Sequence, residues 1–369
     1  MIDLLKKLIN ARSTPDKGEL AAAEVIKEAL AVFGIEGKID VWDKTHANIV
    51  VHIKSTAKKT ALLFAAHLDV VPTGTARWKH PPFEATEVDG KIFGRGASDM
   101  KGGIAAAVGA IAEVVKSGKT LQGDIIFAAT AGEETDSCGA RRFVESAKLP
   151  KLAGIIVTEP TDLSVINAHR GILWLKFTTR GKTAHGSMPH LGINAIESAR
   201  VLLNELATYK LSFTPHLRLG NSTMSINTIS GGKAANVIPD ECSITVDIRT
   251  LPGQNHNEII AGFEQLLGKI KMTNSQFAAE LSVVRDCSAL ETDASSDFVK
   301  AVCQVRGIDA PGAVGYTTDG PIFAALGAPV IIFGPGKAEI CHQPDEFIEI
   351  ADVQKAARQY NDVILKLLT

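Results

Sequence analysis

The chain has 369 residues, more than one hydrophobic core usually covers, so two domains are expected. Its residues are 45% hydrophobic and 22% charged, which excludes a disordered or fibrous chain. Lys plus Arg number 39 against 41 Asp plus Glu, a net charge of -2 that argues against phosphate-driven nucleic-acid binding. No apolar run approaches the ~20 residues that span a bilayer, so no membrane segment is expected. Met1 to Ile9 alternates charge with Leu and Ile and reads as an amphipathic helix, not a signal peptide. The five cysteines are scattered without a CxxC pair, which favours a reducing cytoplasm over a disulfide framework or zinc ribbon.

A first long helix is expected where Leu20, Val25, Ile26, Leu30 and Phe33 share a face and Gly34 ends the run. Strands follow at 39–42, 48–53 and 61–66, the last apolar throughout, as a strand buried on both faces should be. An Ala- and Val-rich helix at 101–116, a strand at 124–130, a helix near 139–147 and a strand at 154–158 complete an alternating α/β pattern with a mostly parallel sheet. From about Gly171 the pattern changes. Residues 172–179 alternate with period two, and helices at 194–206 and 258–270 are interleaved with strands at 222–229, 242–248 and 281–285. That order reads as an α+β unit with an antiparallel sheet. After Cys287 the α/β pattern returns, with helices near 295–305 and 320–326, a strand at 329–333 and a last helix at 353–368. One α/β domain, 1–170 with 287–369, is therefore expected to be interrupted by an inserted α+β domain, 171–286.

Absent motifs narrow the chemistry. Gly94-Arg95-Gly96 lacks the third glycine of a dinucleotide fingerprint, and neither Gly118-Lys119-Thr120 nor Gly181-Lys182-Thr183 has the upstream glycine of a phosphate loop. There is no Gly-x-Ser-x-Gly elbow and no His-Glu-x-x-His helix. In their place, five segments carry cation-binding side chains at the expected C-terminal edge of the parallel strands or in adjacent loops: His67 with Asp69, Asp99, Glu133-Glu134, Glu159 and His342. Each has an ordinary reading alone: a solvated histidine, a surface Glu pair, a helix N-cap at Asp99. Together they are several acids and two histidines on one edge of one sheet. Such carboxylates repel one another unless cations neutralise them. Nitrogen and oxygen donors without thiolates suit Zn²⁺, with Co²⁺ or Mn²⁺ as substitutes. Residues 67 and 69 leave an extended chain on one side, so Asp69 is expected to hydrogen-bond the His67 ring.

The same residues carry a resemblance. His67-Leu68-Asp69-Val70-Val71-Pro72, Gly94 to Gly103, Gly132-Glu133-Glu134, Thr158-Glu159-Pro160, Arg170-Gly171, Gly181 to Ser187, Asn236 to Pro239, Asp247-Ile248-Arg249 and His342 resemble, in order and along essentially the whole chain, the M20 family of metallopeptidases and deacylases. The likeness is greatest to its acetylornithine deacetylase and succinyl-diaminopimelate desuccinylase branch. It implies a zinc-peptidase-like catalytic domain and an inserted ferredoxin-like lid through which two chains form a homodimer. It also implies two Zn²⁺ per subunit, with Asp99 bridging them, His67 and Glu159 completing one site, and Glu134 and His342 the other. Glu133 would be the general base and Asp69 the orienting partner of His67. In the lid, the resemblance makes His185 a residue that reaches the neighbouring subunit's site and Asn236 a substrate contact. Arg249 and Arg170 would meet the substrate, Arg249 gripping a carboxylate with its fork, and Thr317 would line the acyl pocket. Two positions depart from the desuccinylase pattern: His169 stands where a second arginine is usual, and Tyr316 replaces a glycine. These weaken the case for a succinyl carboxylate while leaving the metal motifs intact. The expected activity is release of an N-acyl group from an amino acid, N-succinyl-diaminopimelate first and N-acetylornithine or a general N-acyl amino acid next. A dipeptidase is a further expectation. A non-catalytic metal-binding protein and a nicotinamide dehydrogenase are the rivals of other classes; intact Glu133 and the missing glycine fingerprint count against them.

Overall fold

Apolar runs that end abruptly in polar residues become neighbouring parallel strands in the computed structural model, which describes residues 1–57 and 59–369. Ala61–His67 lies between Ile125–Thr130 and Leu152–Val157 and runs parallel to both. Every residue of Ala61–His67 and of Ile125–Thr130 is buried, which is why neither strand alternates. Val330–Ile332 extends the parallel set past Leu152–Val157. Antiparallel strands flank it, Ala47–Ile53 and Gly37–Val41 on one side and Ile166–His169 on the other. Among the described residues this sheet has nine strands.

Helices Gly102–Ser117 and Ile350–Leu368 pack against each other and join the core that includes Phe64, Phe127, Ile104, Ile111 and Val353. Tyr360 is wholly buried there, edge-on to Phe64 and Phe333, with its hydroxyl donating to the Phe333 carbonyl at 2.6 Å. Such a ring contributes about 1.5–3 kcal/mol by burial alone. Gly103 lets its helix approach the sheet: a Cβ there would lie 2.0 Å from the Thr158 carbonyl oxygen. The helix Leu20–Ala31 corrects the expected face. It buries Ala22, Ala23, Ile26 and Leu30, whereas Leu20 and Phe33 are 42% exposed. Small alanines, not the largest apolar side chains, make the close contact. A separate three-stranded antiparallel sheet, Thr86–Val88, Lys91–Phe93 and Phe347–Glu349, was not expected from the sequence.

The chain divides into two compact units: Met1–Ala168 with Glu291–Ala313 and Thr318–Thr369, and His169–Leu290 with Val314–Thr317. In the second, Gly171–Arg180 is paired on both sides, with Glu241–Thr250 and Ala278–Cys287, and Thr223–Gly231 lies outside Glu241–Thr250. All neighbours are antiparallel. Helices Ala195–Thr208 and His256–Thr273 supply Leu202, Leu206 and Phe263 to a core shared with Leu173, Leu175, Phe177 and Val246. Both helices start on an asparagine cap. Asn194 accepts the amides of Ile196 and Glu197 at 2.9 and 3.3 Å, and Asn255 that of Asn257 at 2.9 Å.

Candidate metal centre

The strand ends deliver the site. His67 is the last residue of its strand, Glu133 and Glu134 follow Ile125–Thr130 after a turn at Gly132 (φ 77°), and Glu159 comes two residues after Leu152–Val157. Asp99 lies in the irregular turn before helix Gly102–Ser117. That turn opens at Gly96 with φ 82°, and a Cβ there would also press to 2.5 Å from a Val70 methyl. His342 arrives from the loop after Val330–Ile332 with φ 64°, a left-handed conformation that few non-glycine residues adopt and that is common at functional sites.

These residues converge on the two oxygens of Asp99. Oδ1 is 3.0 Å from His67 Nε2, which also lies 3.5 Å from Glu159 Oε1. Oδ2 is 3.2 Å from His342 Nε2, which is 2.9 Å from Glu134 Oε1. Single ligand atoms of His67, Asp99 and Glu134 all lie within 4.8 Å of one another. The arrangement therefore has two lobes, each with one imidazole and one glutamate, sharing one aspartate.

Asp69 does not hold the His67 ring in the way its spacing suggested. The His67 Nδ1 faces the Asp69 backbone carbonyl at 3.0 Å, while the Asp69 carboxylate is 3.6 Å away. That carboxylate instead accepts the backbone amides of Glu133 at 3.1 Å and Glu134 at 3.0 Å. It thereby fixes the turn that carries both glutamates, and acts on the ring through charge. A carbonyl can only accept, so Nδ1 carries the hydrogen and Nε2 is the atom directed to Asp99.

Charge dominates the chemistry. Burial opposes protonation of His67, yet Glu159 and then Asp69 and Asp99 hold its pKa well above the usual value. His342 is raised to about 10 by its bonds to Asp99 and Glu134. Burial alone would raise Asp99, but the hydrogen bonds from His342 and His67 keep it below the usual carboxylate range. Burial, then Asp99, raises both Glu134 and Glu159, and burial followed by Asp319 raises Glu133 well above an ordinary glutamate. Five carboxylates thus face two imidazoles in a largely dehydrated space, an excess of negative charge that divalent cations would neutralise. Among the described residues no cysteine joins the ligand group. The Cys341 thiol donates to the Lys337 carbonyl at 3.2 Å, and its pKa is raised, by burial first, so it stays a thiol. The donor set fits a nitrogen–oxygen site for Zn²⁺-like ions.

The remaining sequence-chosen residues belong to the second unit. His185 and Asn236 are exposed and adjacent: the Gly186 amide donates to the Asn236 carbonyl at 2.8 Å, and His185 pairs with Val237. The His185 Nδ1 accepts the Ser187 amide at 3.2 Å, which leaves the hydrogen on Nε2. Arg249 has its fork on Asp247, at 2.9 and 3.0 Å. Arg170 donates to the carbonyls of Asn221 and Leu219, and its own carbonyl accepts the Thr317 hydroxyl at 2.7 Å. His169 is fully buried, and its pKa is lowered to about 4 by desolvation, so it is neutral at physiological pH.

Asp319, Lys101 and Glu19, all buried and ionisable, escaped the sequence reading. Asp319 raises Glu133. Lys101 is fully buried with Nζ on the Leu8 carbonyl at 2.8 Å, and burial lowers its pKa to about 7. Glu19 is raised to about 7 by burial and then by Asp69. The only signal for Lys101 was its place two residues after Asp99, and for Asp319 its place two after Thr317; Glu19 carries none.

Two imidazoles and a surplus of buried carboxylates at the C-terminal edge of a parallel sheet define a candidate divalent-metal site on an α/β enzyme scaffold. The family described as Peptidase family M20/M25/M40 matches residues 63–366. The chain is 30% identical to a probable succinyl-diaminopimelate desuccinylase of Staphylococcus epidermidis, over 94% of this chain and 92% of that one. It is 33% identical to an acetylornithine deacetylase of Buchnera aphidicola, over 83% and 80%. Its fold is similar to that of an M20 family metallo-carboxypeptidase from Sulfolobus solfataricus, with TM-score 0.78, 21% identity and coverage of 99% and 97%. A dinuclear metal-binding M20 peptidase of Bacillus subtilis gives TM-score 0.72 at 18% identity, covering 99% and 98%. The protein belongs to the M20 peptidase family, whose members are metal-dependent hydrolases. Among the described residues no helix is long and apolar enough to cross a membrane.

Proposed function

We propose that the protein is a cytoplasmic, dizinc amidohydrolase that removes the succinyl group from N-succinyl-LL-2,6-diaminopimelate. The observation that carries the two-cation reading is the Asp99 carboxylate, which turns one oxygen to His67 and the other to His342. His67, Asp99 and Glu159 would hold one Zn²⁺, and Asp99, Glu134 and His342 the other; Co²⁺ or Mn²⁺ would substitute. Cations bound there would acidify a water and polarise the scissile carbonyl. Glu133 takes a proton from the attacking water and delivers it to the amine as the C–N bond breaks. Burial raises its carboxyl well above an ordinary glutamate, the direction a general base requires. Asp69 fixes the turn that carries Glu133 and Glu134 by accepting both amides.

In the second unit, the Nε2–H of His185 suits an oxyanion donor. Arg249, Arg170, Asn236 and Thr317 are the proposed substrate contacts. A homodimer through this unit is supported by the outer strand Thr223–Gly231, which exposes Ile226 and Ile229, with Ile196 and Val237 exposed as well. In a dimer of this kind His185 would serve the partner's site. The five cysteines, all free, favour the cytoplasm.

Deacetylation of N-acetylornithine is the second reading, and His169 favours it. A buried, neutral imidazole offers no cation to a succinyl carboxylate. The discriminating experiment is amine release from both compounds and from a dipeptide panel, using chelated protein reloaded with Zn²⁺. A dominant, metal-dependent rate on the succinyl compound is expected. A dominant rate on acetylornithine moves the assignment to the second reading, and turnover of dipeptides alone rejects both.

A further inference from the structure

Behind the ligand cluster lies an ion pair that the proposed chemistry does not use. Glu346 is 1% exposed and sits four residues after His342. Its Oε1 accepts the backbone amides of Ser98 at 3.0 Å and Asp99 at 3.1 Å, and its Oε2 accepts Arg95 Nη1 at 2.6 Å. Arg95 is equally buried. It also reaches the carbonyls of Gln343 at 3.4 Å and Pro72 at 3.5 Å, and its guanidinium lies 5.1 Å from the centre of the Trp78 ring. The Gly94 amide donates to the Glu346 carbonyl at 2.8 Å. Ser98 Oγ accepts the Lys337 amide at 2.9 Å and donates to its carbonyl at 3.3 Å. Segments carrying His67, Asp99 and His342 are therefore tied together at one dehydrated pair.

Resting on the two-cation reading above, we propose that Glu346, fixed by Arg95, is a positioning residue that sets the orientation of Asp99 so that its two carboxylate oxygens serve different cations. Folding alone gives little reason for a further buried carboxylate beside this cluster. A buried ion pair is a weak stabiliser compared with apolar packing of the same volume. What the pair supplies is a shared acceptor for two successive amides, which holds the peptide that aims Asp99. Arg95 cancels the added charge and ties it to the loop after His67 and to the segment of His342.

The test is Co²⁺ titration of the chelated full-length protein, followed by visible absorption and calorimetry. Wild type should take two Co²⁺. Glu346→Gln keeps the shape and one acceptor; it should still take the first Co²⁺ but bind the second about 10- to 100-fold more weakly, with an altered absorption band at full loading. Arg95→Lys keeps the charge but loses the fork, and should weaken the second ion in the same direction. It decides the matter if Glu346→Gln does not fold. Wild-type affinities and spectrum in the folded variants, even with a lower unfolding temperature of the metal-free protein, would assign the pair to folding and overturn the inference. Wild type that takes fewer than two Co²⁺ removes the two-cation reading itself, and the inference with it.

Discussion

The edge of the parallel sheet and the loops of the antiparallel unit place the residues proposed for chemistry and for substrate contact by opposite means. At the sheet edge His67 and Glu159 are buried, and their partners lie within 3.5 Å. His67, Glu133, Glu134 and Glu159 arrive from strand ends or the turn after one, while Asp99 comes from the turn before helix Gly102–Ser117 and His342 from a loop that leaves it half exposed. In the antiparallel unit His185 and Asn236 are exposed, joined by backbone hydrogen bonding between neighbouring loops. Clustered charge needs a rigid, dry frame, because its energy depends steeply on distance and dielectric. Groups that meet a substrate need access, and loops supply it. Residues proposed for chemistry and residues proposed for recognition should therefore respond to mutation in separable ways.

The largest effect should come from Glu133→Gln. Turnover is expected to fall about 10³-fold while bound metal, measured by elemental analysis, stays unchanged. Metal loss in that variant would erase the distinction between ligand and base. Next, His185→Ala should lower kcat about 10²-fold with full metal content, because one oxyanion donor is removed. Unchanged kcat would leave the second unit with no part in the chemistry.

A stability prediction follows from His169. Its folded pKa, about 4, lies below the unfolded value near 6.5, so the unfolded state takes the proton first. Stability is full above about pH 6.5 and falls as pH drops towards 4, by up to about 3 kcal/mol. Denaturant unfolding of His169→Gln across that window should show a flatter acid limb; an identical limb would place the acid sensitivity elsewhere. The smallest effect is expected of Arg249→Lys: KM should rise about tenfold at nearly constant kcat, since a point charge replaces a fork already shared with Asp247. A fall in kcat with constant KM would move Arg249 from recognition into the reaction.

The sheet edge was the more legible region because continuous apolar runs, such as Ala61 to Ala66, announce a buried strand, and the polar residues that follow must sit at its end. His67, Glu133-Glu134 and Glu159 could be placed by that logic. Asp99 and His342 were placed only by their neighbours, the mouth of the Ala-rich helix and the loop after the strand at 329–333, since loops carry no period. The three-residue strands Thr86–Val88, Lys91–Phe93 and Phe347–Glu349 were invisible because their stability is in the pairing, not in local pattern. Arg95 and Glu346 are 251 positions apart and meet only in the fold. The Asp69 carboxylate was aimed correctly by the period of a strand, but the two amides of the glutamate turn captured it.

One measurement bears most directly on the two-cation reading: anomalous X-ray scattering at the zinc edge from crystals of the Zn²⁺-loaded protein. Two peaks, one on each side of the Asp99 carboxylate, with His67 and Glu159 on one and His342 and Glu134 on the other, are the predicted result. A single peak, or peaks away from Asp99, would contradict it.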